Sequence, residues 1–278
     1  MKYTVQTYKY ILKNFFYIVP FALLPALFLS ISVAEKEVIT VLRAIVEKDF
    51  SAWTFVNLFR AISVLNFGSR ESIVTGIVGV IVMVPCIALL MAFLDKHLRF
   101  GKRTFNGLWS KLNDNFISTF GYIVLFLLIY EVWALVLSAL LCLVALIPNV
   151  IAVYVFASVI FLAMHVVLLY AVGTIYLWLP CMQITGFPAV EALQYSHQLL
   201  THIKWRILLG QIVALIGAEG LIVACAWYLP DFAIFTVWTT VLFVVLLLFY
   251  CVRMMIAYFD RDNIERADLR KYYEGADY

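Results

Sequence analysis

Long apolar stretches alternate with short polar ones along the chain. Six of the apolar stretches are long enough for a helix to cross a bilayer, which takes about 20 residues. They cover 14–34, 73–94, 117–147, 149–180, 206–229 and 232–259. The third and fourth exceed the minimum, so they must tilt or run past the hydrocarbon. Pro148 separates the third span from the fourth and Pro230 the fifth from the sixth, leaving almost no loop at either turn. Pro180 ends the fourth span, and Pro188 suits the first turn of the helix that follows it. Pro20, Pro25 and Pro85 fall inside spans and predict kinks there.

The 35–72 segment has a different rhythm. Val38, Val41, Leu42, Ile45 and Val46 fall on one helical face, and Arg43 stands four residues before Glu47, close enough to pair. Trp53 to Leu65 repeats the pattern with Phe55, Phe59 and Ile62. This pattern predicts one or two amphipathic helices. They either lie on the outer membrane surface or form a packed cap over the bundle.

Three further stretches share a pattern: TVQTYKYILKNFF (4–16), TFNGLWSKLNDNF (104–116) and AVEALQYSHQLLTHIKW (189–205). Each is an amphipathic helix candidate leading into an odd-numbered span. The first two align without gaps, Thr4 with Thr104, Leu12 with Leu112 and Phe16 with Phe116. The expected fold is therefore an all-α polytopic membrane bundle of six transmembrane helices, in three pseudo-repeated hairpins with amphipathic interfacial helices. The chain forms a single integral membrane domain over 1–278, with a tail over 260–278. All three units start from the same side, so the repeats are parallel and not inverted.

Composition agrees with the pattern. Of 278 residues, 65% are apolar and 13% charged, against about 45–50% and about 25% in soluble proteins. An ordinary soluble core is excluded. The N-terminus carries Lys2, Lys9 and Lys13 before an apolar run that is too long for a signal-peptide core, so it reads as a retained first span.

The distribution of charge sets the expected orientation. Fifteen lysines and arginines fall on the side of the two termini and five on the other, all five within 35–72. Both termini are expected in the cytoplasm. Lys96, Arg99, Lys102 and Arg103, with Phe100 and Trp109, suit anionic lipid headgroups on that side. They also suffice as a plain orientation signal. The patch is short and fixed at a membrane, which argues against nucleic acid.

KHLRFGKRTFNGLWSKLNDNFIST (96–119) and WLPCMQITGFPAVEALQYSHQLL (178–200) resemble a loose group of uncharacterised six-helix bacterial membrane proteins. That group includes the membrane domain attached to some glycerophosphodiester phosphodiesterases. The second stretch resembles the group's "EAL…S" helix before the fifth span. The resemblance implies a six-helix fold in a bacterial cell membrane along most of the chain. It implies no functional residue, and no phosphodiesterase catalytic domain lies within these residues.

Few residues could carry chemistry. Glu131, His165 and Glu219 are the ionisable groups that stand out inside spans. Glu131 and His165 are each 17 residues from Pro148, about 25 Å along their helices at 1.5 Å per residue. Glu131 is thus expected to face His165 across the hairpin, with Glu219 at a similar depth and Tyr122 and Tyr130 as further hydroxyl partners. An ionised carboxylate in the membrane interior costs about 2.5–3.5 kcal/mol on insertion scales. The three residues therefore form a candidate intramembrane polar site, either for a small polar or amphipathic ligand or for an interhelical hydrogen bond that fixes packing.

Gly210, Ala214 and Ala218 recur every four residues and suit close helix packing or, as the sharper alternative, a homodimer interface. Cys86, Cys142, Cys181, Cys225 and Cys251 form no C-x-x-C pair, and no metal or cofactor motif is present. His197 and His202 sit on the 189–205 amphipathic helix and read as interfacial surface. No H-E-x-x-H, G-x-S-x-G or P-loop pattern occurs, so no catalytic role is assigned. Two function classes follow: transport or ligand binding through the intramembrane acids, or a non-catalytic scaffold or subunit with another membrane protein as partner.

Overall fold

Backbone N–H and C=O groups inside lipid must be satisfied within their own segment, and a long apolar run does this as a helix. The computed structural model describes residues 2–65, 70–201, 204–228 and 231–270. Six helices are long and apolar enough to cross a membrane. They are α1 (Lys2–Ser32), α4 (Arg70–Phe100), α5 (Leu108–Ala145), α6 (Val150–Thr174), α9 (Lys204–Tyr228) and α10 (Phe232–Arg261). Shorter helices are α2 (Glu35–Glu47), α3 (Phe55–Ile62), α7 (Trp178–Pro180), α8 (Ala189–Leu200) and α11 (Ala267–Arg270). No strand occurs among the described residues. The chain is an all-α polytopic membrane protein.

The centre of the bundle is α1, held between α4 and α10. Ile18, Ala22 and Ala26 of α1 are buried in one cluster with Leu90, Met91 and Leu94 of α4 and Met254, Met255 and Ile256 of α10. Small side chains allow the approach: a Cβ added at Gly79 of α4 would stand 3.1 Å from the Phe28 Cβ of α1. Hydrogen bonds tie α1 to α10 at both ends. Tyr3 donates to Asp260 at 2.6 Å, and the Ser30 and Thr240 hydroxyls meet at 2.6 Å. Pro20, Pro25 and Pro85 are accommodated within continuous helices.

The α5–α6 hairpin forms a second packing unit. Trp133, Leu137, Leu141 and Val144 of α5 meet Val153, Ala157, Leu168 and Val172 of α6. The turn is stopped by Asn149, whose carboxamide oxygen caps α6 by accepting from the Ile151 and Ala152 N–H groups. The segment between α1 and α4 packs on this hairpin: Ala44 of α2, Trp53 and Leu58 of α3 are buried against it. Trp53 Nε1 donates to Val41 O, and Tyr154 Oη reaches Ile45 O of α2. The geometry is that of a packed cap.

Several boundaries differ from the sequence expectation. The stretch 4–16 is continuous with α1 and most of 104–116 with α5, while the third amphipathic stretch stands apart as α8. The fourth span does not run unbroken to Pro180. Regular α6 stops at Thr174, the chain turns through Ile175–Leu177, and a π-helical turn covers Cys181–Thr185. Pro180 accounts for the break, because a proline ring crowds the carbonyl four residues earlier, here that of Tyr176. At the other long turn, Gly101 ends α4 at φ +69, with its N–H on His97 O and its Cα beside Ala267 of the C-terminal segment. His202, Pro230 and the tail 271–278 lie outside the described residues.

Candidate functional site

Glu131 is not paired with His165. Its carboxylate accepts three hydrogen bonds from the strand-like link after α3: Ser63 Oγ at 2.7 Å, Val64 N at 3.0 Å and Leu65 N at 3.1 Å. Tyr130 beside it donates to Ile62 O at 2.9 Å. A link that ends a helix and runs into the next span has backbone donors with no helical partner, and Glu131 satisfies two of them. The nearby contact of Ser32 Oγ with Val64 O places this junction at the end of α1. Glu131 thus lies level with the end of the first span, and α5 continues for about 21 Å beyond it at 1.5 Å per residue. Counting from Pro148 overestimates its depth because the hairpin is longer than the helices around it.

His165 instead meets Glu219 of α9. Its Nε2 lies 3.0 and 3.1 Å from the two Glu219 oxygens. Its Nδ1 lies 2.8 Å from Phe161 O, a carbonyl that can only accept, so Nδ1 carries a hydrogen. The Nε2–carboxyl contact therefore shares a single proton: an imidazolium beside a carboxylate, or an imidazole beside a carboxylic acid. Aromatic packing fixes the ring. Trp133 stands edge-on at 5.0 Å while donating from Nε1 to Met164 O, and the Phe161 ring lies 4.1 Å away. The His165 side chain is 1% exposed and that of Glu219 28%. The pair is therefore sheltered on one side and reachable on the other. Cβ atoms added at Gly217 or Gly220 would meet nothing within 4 Å, so the flank of α9 beside Glu219 is open.

The small residues of α9 divide by role. Ala218 is buried and Ala214 packs against the main core. Gly210 meets a side chain, not a neighbouring helix backbone: an added Cβ would stand 2.5 Å from Nη2 of Arg253. Arg253, one of the fifteen basic residues on the side of the termini, is 1% exposed inside α10. Around it lie Tyr176, Gln211 and the Phe249 ring, whose centroid is 5.5 Å from the guanidinium carbon. Tyr122 and Tyr250 join hydroxyls at 2.5 Å on the same level. Arg253 falls inside the apolar stretch 232–259, so the sequence signal for this centre is a basic residue within a span.

The basic patch is partly occupied within the chain. Lys96 donates to Asn106 O, Arg99 pairs with Asp95 at 3.0 Å, and Arg103 lies 5.5 Å from the Tyr17 ring. Lys102 is exposed. At the opposite end of the bundle, an open apolar groove of about 310 Å³ runs between Leu42, Ile45 and Val46 of α2 and Gly220, Ala224 and Trp227 of α9. Among the described residues, no group of three or more His, Cys, Asp or Glu side chains gathers where it could hold a metal ion.

Three ideas about these residues change together. Glu131 holds the cap, His165 and Glu219 form the proton-sharing pair, and Arg253 joins the buried polar groups. No family model, curated protein or solved structure matches the chain.

Proposed function

We propose that this protein binds or transports a small polar or amphipathic ligand through an intramembrane acidic site, with Glu219 and His165 as its working groups. The observation that carries the reading is the asymmetry of that pair: a buried imidazole fixed by Phe161 and Trp133, facing a carboxyl group that keeps 28% of its side chain exposed beside two open glycines. A group held only for packing gains nothing from that exposure, and acids within spans commonly mark ligand or proton pathways. The shared proton can sit on either partner at the same net charge, and a cationic ligand that takes its place, or an incoming proton, meets the site at the exposed Glu219 carboxyl. Glu131 keeps the cap seated and does not touch the ligand.

The orientation puts both termini in the cytoplasm. With Arg253 removed from the tally, fourteen basic residues remain on the terminal side against five on the other. The location is a bacterial cell membrane, and the three-unit repeat and the contact of Lys102 with anionic headgroups belong to the same reading. The alternative, a scaffold or subunit of a membrane complex, is favoured by one observation: the Glu131 carboxylate is fully used within the chain.

The test is a thermal-shift screen of purified protein against ions, metabolites, peptides and lipids, repeated on Glu219→Gln. Stabilisation by a solute that is lost in a folded Glu219→Gln protein is the expected result. A chain that binds nothing alone but co-purifies with a stable membrane partner supports the scaffold instead.

A further inference from the structure

We propose that Tyr176, Gln211 and Arg253 form a second binding site, separate from the acidic pair, for an oxyanion: a carboxylate or phosphate group carried by a free solute or by a lipid headgroup. The inference does not depend on the His165–Glu219 reading.

Three observations support it. The first is unmet hydrogen bonding. Tyr176 is 0% exposed and Gln211 7%, yet neither the Tyr176 hydroxyl nor either end of the Gln211 carboxamide has a hydrogen-bond partner. Tyr176 and Gln211 face each other without a bond of normal geometry. Buried polar groups are nearly always paired, so orphaned donors at one point call for a missing partner. The second is charge. The buried Arg253 guanidinium brings a fixed positive charge to this place, with a planar donor fork that matches carboxylate and phosphate oxygens. Gly210 makes its position possible, since any larger residue there would collide with the guanidinium. The third is backbone. The regular helix breaks at Ile175–Leu177, directly at Tyr176, and a π-turn follows. Irregular backbone at membrane depth is tolerated where protein covers it or where it lines a cavity, and discontinuous spans flank binding sites in transporters.

The ligand chemistry follows from the donors. Tyr176 Oη–H and Gln211 Nε2 offer hydrogens to an acceptor, and the guanidinium selects an anionic acceptor over a neutral one. Gln211 Oε1 then accepts from a hydroxyl, an amine or a protonated oxygen of the same ligand. A water molecule would satisfy the neutral groups alone and would show no preference among solutes.

The experiment uses the full chain in neutral detergent. Thermal unfolding is followed with sodium phosphate or sodium acetate against sodium chloride at equal ionic strength. The same protein is measured in nanodiscs of phosphatidylcholine with and without phosphatidylglycerol. A shift with phosphate or acetate in detergent identifies a free oxyanion, and a shift with phosphatidylglycerol alone identifies a headgroup. Tyr176→Phe and Gln211→Leu should lose most of the shift while unfolding no lower than wild type without anion, because each removes an unpaired buried polar group. Tyr176→Phe deletes a single oxygen and carries the test if Gln211→Leu does not fold. No oxyanion-dependent shift in either medium, or a shift that survives in Tyr176→Phe, overturns the site.

Discussion

Glu131 on α5 accepts the Ser63 hydroxyl at 2.7 Å across 68 positions of sequence. With the Val64 and Leu65 N–H groups, that contact joins the cap to the bundle at a single carboxylate. A carboxylate can only accept, and every group facing it here donates.

Replacing Glu131 by alanine leaves two backbone donors and a hydroxyl without their acceptor. Each buried unpaired group costs about 1–3 kcal/mol, and partial exposure of Glu131 places the total toward the lower end. Glu131→Gln is informative because it keeps the shape but turns one acceptor into a donor facing donors. Both variants should unfold at lower temperature and should free the cap first, seen as faster proteolysis within 48–65. Unchanged protection of the cap in Glu131→Ala would show that the hydrogen bonds do not hold it.

The His165–Glu219 pair predicts strong coupling. Removing one member leaves the other with half of a proton-sharing contact, while replacing both leaves no half-made contact behind. Glu219→Gln and His165→Phe should each destabilise by about 1–3 kcal/mol, the exposure of Glu219 keeping the value modest. The double variant should lose less than the sum, with a coupling of about 0.5–3 kcal/mol. Additive losses in thermal or denaturant unfolding would mean that the two groups do not interact.

The six spans, their ends at Asn149 and Phe232, and the amphipathic character of 35–72 were legible because length, periodicity and capping residues are local properties. Glu131, His165 and Glu219 were legible as ionisable residues within spans, although helix rise counted from Pro148 sets Glu131 too deep. Their partners were not. Which face of α5 meets α6, and that the link after α3 folds back onto Glu131, depend on packing between elements far apart in sequence. Arg253 illustrates the same limit. A basic residue near a span's end reads as an interfacial charge until the neighbouring helix presents Gly210 to it.

Gly210 should resist even the smallest substitution. Its added Cβ would stand 2.5, 2.8 and 2.9 Å from Nη2, Nη1 and Cζ of Arg253. The contact is to the far end of a flexible side chain, so Gly210→Ala should cost what displacing the buried guanidinium costs, at most about 1–3 kcal/mol by overpacking. Gly217→Ala, where the added atom meets nothing within 4 Å, is the matched control and should be neutral or slightly stabilising. Comparing the two by thermal unfolding separates a packing clash from a general intolerance of α9. Equal losses would remove the clash as the cause.

Tyr195 gives a test by pH outside the spans. Its hydroxyl donates to Asp262, which also accepts from Tyr258, and this ties α8 to the end of α10. Donation to the carboxylate, followed by burial, pushes the Tyr195 hydroxyl up from 10.0 to about 12. A raised folded value means that the unfolded chain gives up this proton first as pH rises. The contribution of the bond is therefore complete below pH 10, shrinks as the unfolded tyrosine ionises, and is lost as pH passes about 12. Tyr195→Phe has no such proton. Wild type should be the more stable protein at pH 8, and the difference between the two should narrow steadily above pH 10. Every other tyrosine is present in both proteins, so the difference reports on Tyr195 and the Asp262 carboxylate it shares with Tyr258. A gap that stays constant up to pH 12 would show that the Tyr195 hydroxyl contributes nothing through Asp262.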